Sequence, residues 1–452
     1  LGAAAILGLL AVWVAFPLRL YLHRHQAAIA LPDRPSPRDA AEARRQDLDD
    51  LRLLPDYDRS FSAAAFSAFL GGIDALRSRA DGLSLPEFEM EVSRLVALAG
   101  NAHTTVSKTQ RVAVFGRAPV RLAWFADGLY VVRATGPATE LLGRRVVSID
   151  GRLADDALAA VQPYLSGTAE RARDDSPPLF ECPALLRVIW PDTDGVHLAL
   201  AFADGSNATL AALPPAPDRF DIQPVRAIMD YPAEGWATEL SRTPAVPLSL
   251  REPGRMAFAV DLGDGGAYIR INGNEDDAAG PLAEQLTRIA DMAPKGGWRR
   301  IVLDLRFNEG GDELKTMDFT ARLPGLLTAD GGLWIVTGNA TFSAAIIAAA
   351  RAKVFVGARA HIVGERVGDR NPFWTGGGAP LVLRNSGIAI AHGYFKQDWE
   401  SGCRAVDVCS PLQFAFGVAA GDLSPEVEVG WSFADYAAGR DTVLERVVAL
   451  SR

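Results

Sequence analysis

Ile301-Val-Leu-Asp-Leu-Arg-Phe-Asn308-Glu-Gly310-Gly311-Asp312 is a short apolar run closed by a polar, glycine-rich turn, and its reading decides the fold. A second run of the same design follows in Leu333-Trp-Ile-Val-Thr-Gly338-Asn-Ala-Thr-Phe-Ser343-Ala-Ala-Ile-Ile-Ala-Ala-Ala, a strand, a turn and then a helix of small residues. Each predicts a buried strand feeding a helix. If the two strands lie parallel and adjacent, both turns open at the same edge of the sheet, where α/β proteins place ligands. Ser343 then stands at a helix N-terminus facing free glycine amides. A hydroxyl nucleophile beside donors for a developing oxyanion is what acyl transfer needs.

The chain has 452 residues, too many for one ordinary core, so roughly two or three domains are expected. Apolar residues make up 49% and charged residues 22%, a globular rather than disordered composition. The net charge of −9, with no Lys/Arg block, argues against nucleic acid as a partner. Six histidines and three cysteines show no CxxC or HExxH spacing, so neither a metal nor an organic cofactor is expected. Residues 1–18 carry no charge and would make about 27 Å of helix, so 1–22 reads as a membrane anchor. A cleaved signal segment is the alternative, with Ala28-Ile-Ala30 as the small-residue site. Arg19 and Arg24 stand against cleavage there and, as basic residues just past a span, against export. Cys403 and Cys409 share one polar loop and would close a small disulfide ring, which fits an oxidising compartment. The expected location is therefore membrane-anchored and facing the periplasm or extracellular space, or secreted if 1–22 are removed.

Residues 23–60 read as a linker, rich in Pro, Asp and Arg over 32–55 and carrying one helix. Residues 61–109 read as a small helical domain. Its apolar spacing is broken at Gly71-Gly72 and at Asp81-Gly-Leu-Ser-Leu-Pro86, where Ser84 and Pro86 predict the start of the next helix. Residues 110–215 read as a β-rich domain with strand-like runs at 111–115, 120–125, 129–133 and 145–149. A turn follows at Asp150-Gly151, then a helix over 154–161. A hairpin is expected to join 184–190 to 196–202 through Pro191-Asp-Thr-Asp-Gly195. Residues 216–255 form a proline-rich connecting arm, and 256–452 turn to a βαβα pattern ending in a helix over 441–450.

Asp304-Leu-Arg-Phe-Asn-Glu-Gly-Gly311 resembles the Asp-Leu-Arg-x-Asn-x-Gly-Gly signature of peptidase family S41, the tail-specific and tricorn-core serine peptidases. Thr341-Phe-Ser-Ala-Ala345 is similar to that family's nucleophile turn, and Val363-Gly-Glu365-Arg-Val-Gly368 to the strand after the nucleophile helix. Leu423-Ser-Pro-Glu426-Val-Glu-Val and Phe433-Ala-Asp-Tyr-Ala-Ala-Gly-Arg-Asp441 resemble the family's tail and final helix, with Glu426 where aspartate is usual. Gly143-Arg-Arg-Val-Val-Ser-Ile-Asp-Gly151 resembles the PDZ-like segment that many members carry. The likeness spans roughly 95–450 in family order. It implies an α/β multidomain protein with an N-terminal helical segment, a PDZ-like β-rich domain and a C-terminal α/β, crotonase-like ββα catalytic domain. One branch of the family uses a Ser–Lys dyad, with the lysine in a Gly-Lys-Gly context after the serine. Here that stretch reads Gly368-Asp-Arg-Asn371. The other branch takes a histidine ahead of the PDZ-like segment, in a motif similar to Asn101-Ala-His103-Thr104.

The resemblance thus implies Ser343 as nucleophile and His103 as base. His361 and His392 lie in strand-like stretches of the catalytic domain and compete with His103 on distance alone. The amides of Gly310 or Gly311, with that of Ala344, would form the oxyanion hole. Asp304 and Arg306, with Asn308, read as internal support of that turn rather than as catalysts. The residue that orients His103 stays open among Asn101, Glu365, Asp398 and Glu400, the last two favoured by the downstream acid of tricorn-like members. The expected function is a serine endopeptidase that hydrolyses extended polypeptide through an acyl-enzyme on Ser343. Two alternatives remain: a catalytically silent protein of the same fold that binds apolar ligands, and an esterase using the same residues.

Overall fold

The computed structural model describes residues 29–216, 224–232, 234–376, 378–405 and 407–451, so the apolar stretch 1–22 lies outside the described residues. No helix among the described residues is long and apolar enough to cross a membrane. Two compact units emerge. The first joins the chain up to Ser107 to Asn371–Ala419, and the second holds Lys108–Arg370 and the chain from Ala420 onward. The expected boundaries at 110 and 256 cut the chain differently. Residues 371–419 leave the C-terminal domain for the first unit, and the β-rich region shares a unit with the α/β sheet.

The first unit is built on three helices, Ala40–Leu51, Ala63–Ser78 and Leu85–Ala97. Each starts on a side-chain cap: Asp39 accepts from the Glu42 amide, Ser62 from Ala65, and Ser84 forms a reciprocal capping box with Glu87. The stretch expected as a linker is core instead. Leu48, Leu51 and Leu54 are wholly buried among Phe69, Ile73, Phe88 and Val92, and against Leu381, Leu383 and Ile390 of the second segment. Each leucine buried this fully contributes about 1.5–3 kcal/mol. Asp50, also wholly buried, accepts from Arg384 at 2.7 and 2.9 Å. Gly71-Gly72 does not break its helix. A Cβ on Gly72 would come within 2.3 Å of Leu95 Cδ2, so the glycine lets two helices approach closely. Thr105–Val106 pairs antiparallel with Ala389–Ala391, which pairs in turn with Leu381–Val382. A separate ribbon joins Pro372–Gly376 to Gly393–Asp398, and a disulfide links Cys403 to Cys409.

The β-rich region of the second unit is an antiparallel sheet in the order Val120–Phe125, Gly128–Thr135, Arg145–Ile149, His197–Phe202, Asn207–Ala211. Two expected strands are helices. Residues 111–115 fall in and just after Lys108–Val114, whose Val112 lies on one face with Phe115, both buried. Residues 184–190 fall in Pro183–Ile189, where proline takes the first helical position and Leu185 and Leu186 are wholly buried. The hairpin partner of 197–202 is therefore Asn207–Ala211, across a turn with Gly205 at φ 83°. The connecting arm is not all loop, since Trp236–Thr238 adds a strand to Gly128–Thr135.

The rest of the second unit is a six-stranded sheet. Its strands are β1 (Ala257–Gly263), β2 (Gly266–Ile271), β3 (Trp298–Asp304), β4 (Leu327–Thr337), β5 (Ala360–Gly364) and β6 (Val427–Glu428). They lie in the order β6-β5-β4-β3-β2-β1, parallel from β2 to β6 with β1 antiparallel. Helices α1 (Leu282–Asp291), α2 (Leu314–Leu326), α3 (Ala344–Val356) and α4 (Thr442–Leu450) complete it. Val302, Val336 and Val363 are buried in successive strands against Val443 and Val447 of α4. Strands buried on both faces read as continuous apolar runs, which is why these were legible.

Candidate active site

β3 and β4 are parallel neighbours, with Asp304 opposite Val336, so the turns that follow them open side by side. They are laced together. Leu305 N donates to Val336 O at 2.9 Å, Thr341 Oγ1 to Leu305 O at 2.8 Å, and Phe342 N to Asn308 O at 3.0 Å. Asn308, wholly buried, folds the first turn. Its Oδ1 accepts from Gly310 N at 2.8 Å and its Nδ2 donates to Asn274 Oδ1 at 3.0 Å. Asn274 N in turn donates to Gly310 O at 2.8 Å.

Ser343 sits at the N-terminus of α3 with φ 53° and ψ −121°. A non-glycine residue with positive φ is strained, and it persists only where the surroundings over-determine it. Here they do. Gly310 has φ 96°, and a Cβ on it would lie 2.6 Å from Ser343 Cβ and 2.9 Å from Ala344 N. Gly311 has φ 129°, and a Cβ there would lie 2.6 Å from Asn274 O. Glycine is therefore required twice, for conformation and for close approach. The Gly310 amide is occupied by Asn308, whereas no hydrogen bond from the Gly311 or Ala344 amide is present among the described residues. Of the two glycines expected to donate, Gly311 keeps a free N–H.

Beneath the turn, Arg306 is fully paired. It donates to Asp304 at 2.7 Å and to Asp441, at the start of α4, at 2.9 and 3.0 Å. Tyr268 Oη adds a bond to Asp304 Oδ2 at 2.8 Å. Burial works against the Arg306 charge, but Asp304 and Asp441 outweigh it and hold the guanidinium well above its usual pKa. Burial likewise pushes Asp441 up, and Arg306 more than reverses that. The pair ties the turn after β3 to the last helix.

A second arginine was not singled out from the sequence. Arg171, in the helix Ala169–Asp175, donates to Asp175 and to Glu309, each at 3.0 Å, and its guanidinium lies 4.6 Å from the Phe342 ring centre. It thus touches the residue before Gly310 and the residue before Ser343. Lys108 also pairs with Asp175. Burial pushes the Asp174 carboxyl up to about 7, with Arg171 pulling the other way. A run such as Ala169-Glu-Arg-Ala-Arg-Asp-Asp175 reads as a solvated helix face, so the sequence carried no signal for this cluster. A partly open cavity, lined by Met229, Tyr231, Met256, Glu309 and Gly310, borders the same turn.

His103 belongs to the first unit. It is half-buried, its ring stacked on Phe373 with centres 5.1 Å apart. Asn101 is committed elsewhere, donating to Trp374 O at 3.0 Å and to Thr104 Oγ1 at 2.9 Å, and accepting from Trp374 N at 3.1 Å. Asp398 accepts from Lys396 Nζ at 3.0 Å and from Ser401 N at 2.9 Å, which overcomes burial and lowers its pKa. Glu400 is exposed. Glu365 belongs to the second unit, just past β5. The rival His361 pairs with Glu426 at 2.8 Å and lies near the start of β5, about 10 Å along the strand from the edge that carries Ser343. His392 engages Ala379 O through Nε2 at 3.1 Å.

No family model and no curated protein matches this sequence. Solved structures do. Mature CPAF complexed with lactacystin aligns with a TM-score of 0.52 at 14% identity, over 91% of this chain and 98% of that one. The photosystem II D1 C-terminal processing protease aligns at 0.37 and 13%, over 86% and 93%. Tricorn protease aligns at 0.38 and 15%, over 91% of this chain and 37% of that one. This chain shares the fold of CPAF. The expected mixed α/β, multidomain architecture is met at that level.

Proposed function

We propose that this protein is a serine endopeptidase of the S41 type, with Ser343 as nucleophile and His103 as general base. The observation that carries the reading is the turn itself: a serine at positive φ on a helix N-terminus, pressed against Gly310, with the Gly311 and Ala344 amides unspent. Strand-to-helix turns strained in this way are used to present a nucleophile. In the reaction His103 takes the proton from Ser343 Oγ, which attacks the scissile carbonyl. The developing oxyanion is received by the Gly311 and Ala344 amides. The proton passes to the leaving amine, and water activated by His103 then hydrolyses the acyl-enzyme. The cavity bordered by Gly310 gives room for a substrate side chain.

The substrate is extended polypeptide, and the β-rich region, read as PDZ-like, would hold it by strand addition. The Cys403–Cys409 disulfide supports an oxidising compartment, and 1–22 the role of membrane anchor. Incubation with an unfolded protein substrate, with new termini read by mass spectrometry, tests the reading. Cleavage by the wild type and none by Ser343→Ala is expected. Hydrolysis of activated esters without peptide cleavage would leave the esterase reading, and no hydrolysis of either would leave the binding protein.

A further inference from the structure

A partly open cavity lies at the carboxyl ends of the parallel strands β3 to β6, the usual ligand edge of an α/β sheet. Its walls include Trp124, Phe125, Phe307 and Trp431. Two opposite charges border it. Arg173 Nη2 donates to the Phe125 carbonyl at 3.0 Å, and its guanidinium lies 4.2 Å from the Trp124 ring centre. That bond leaves most of its five N–H donors unspent. Glu365 is fixed by its backbone, which donates to Thr337 O at 3.0 Å and accepts from Thr337 Oγ1 at 2.7 Å. No hydrogen bond to its carboxylate is present among the described residues, and no ion pair within 4.0 Å joins it to Arg173. Burial raises the Glu365 pKa, with Arg173 and Arg306 opposing.

The other charges at the cavity face opposite charges: Arg306 is held by Asp304 and Asp441, and Asp174, which makes no hydrogen bond through Oδ2, lies 3.7 Å from Arg171. What remains is one cation and one anion, half-buried among aromatic rings, that attract each other without an ion pair within 4.0 Å. A part-buried charge keeps its full value only when a partner arrives. A cationic ligand alone would meet Arg173, and an anionic ligand alone would meet Glu365. A zwitterion satisfies both, its ammonium on Glu365 and its carboxylate on Arg173, with an apolar side chain against the indoles. We propose that this cavity binds a free α-amino acid with a large apolar side chain. The wall at Gly338 to Ala340 runs directly into the turn that carries Ser343, so occupancy reaches the nucleophile turn. Binding itself needs neither Ser343 nor His103.

Calorimetric titration of the full chain with L-phenylalanine, phenethylamine and hydrocinnamate tests the proposal. Saturable one-site binding of L-phenylalanine with a dissociation constant below about 1 mM is expected. Each half-molecule should bind at least about tenfold more weakly. Glu365→Gln should weaken L-phenylalanine by about tenfold or more while leaving hydrocinnamate no weaker, and Arg173→Met should weaken both. L-Phenylalanine that does not saturate by about 10 mM, or that binds no better than its halves, overturns the site. Undiminished binding to a folded Glu365→Gln protein does the same. Should that variant not fold, the comparison of the three ligands on the wild type decides alone.

Discussion

The serine and the histidine of the candidate site are held in different ways. Around Ser343 the backbone is laced by hydrogen bonds from Asn308, Thr341 and Phe342, and Gly310 is packed so tightly that a methyl group would not fit. Strain at Ser343 is stored because everything near it is fixed. Around His103 the ring stacks on Phe373, Asn101 clips the Trp374 backbone, and Thr104 donates to the Asp58 carboxylate at 2.6 Å. The proposed nucleophile and its proposed amide donors lie within one unit. Asn101 and Asp398, two of the groups expected to orient the histidine, hold bonds of their own to Trp374, Lys396 and Ser401.

This contrast can be broken by mutation, with the largest effect at the serine. Ser343→Ala should lower kcat by about 10⁴–10⁶ with the melting temperature nearly unchanged, measured on a peptide substrate and by calorimetry. His103→Ala should follow at about 10⁴, while His361→Ala and His392→Ala stay within about threefold. Loss of activity in either of those two, with His103→Ala active, would replace the base. Gly310→Ala should cost about 10²–10³ in kcat, because the added Cβ displaces Ser343 and Ala344 from the oxyanion position. A kcat within about twofold of wild type would show that the turn is not preformed as described.

Smaller effects sharpen the comparison. Asn101→Ala should destabilise the protein by about 1–3 kcal/mol, since it orphans the Trp374 backbone, and should leave the pH profile of kcat unmoved. A shifted profile would return Asn101 to the role of orienting His103. The last effect, on stability alone, belongs to Asp174. Its pKa is raised by burial to about 7 in the folded protein. Folding therefore takes up a proton, and this group's contribution to stability falls as pH rises from about 4 to about 7. Asp174→Asn removes that fall, so melting temperatures of variant and wild type should diverge toward neutral pH, with the variant higher.

How far the sequence could be read follows from which signals were local. The strands at 301–304 and 333–337 are short, largely apolar runs that lead into glycine-containing turns, and their length and flanks mark them as strands. The capping box at Ser84 is equally local. Misreadings came where one pattern serves two structures. Ala184-Leu-Leu-Arg-Val-Ile-Trp190 suits a strand by its alternation and a helix by its leading Pro183, and the proline decides. Gly71-Gly72 signals a break only if nothing packs there, and Leu95 does. Arg171 and Glu309 are joined by an ion pair across 138 residues, and no spacing announces them.

The central claim is that Ser343 is a nucleophile activated by His103. Treatment of the purified protein with a fluorophosphonate, followed by mass spectrometry of its peptides, tests it most directly. The account predicts a single adduct on Ser343 in the wild type, and a labelling rate lowered by about 10² or more in His103→Ala. Labelling of another residue, none at all, or a rate indifferent to His103 would contradict it.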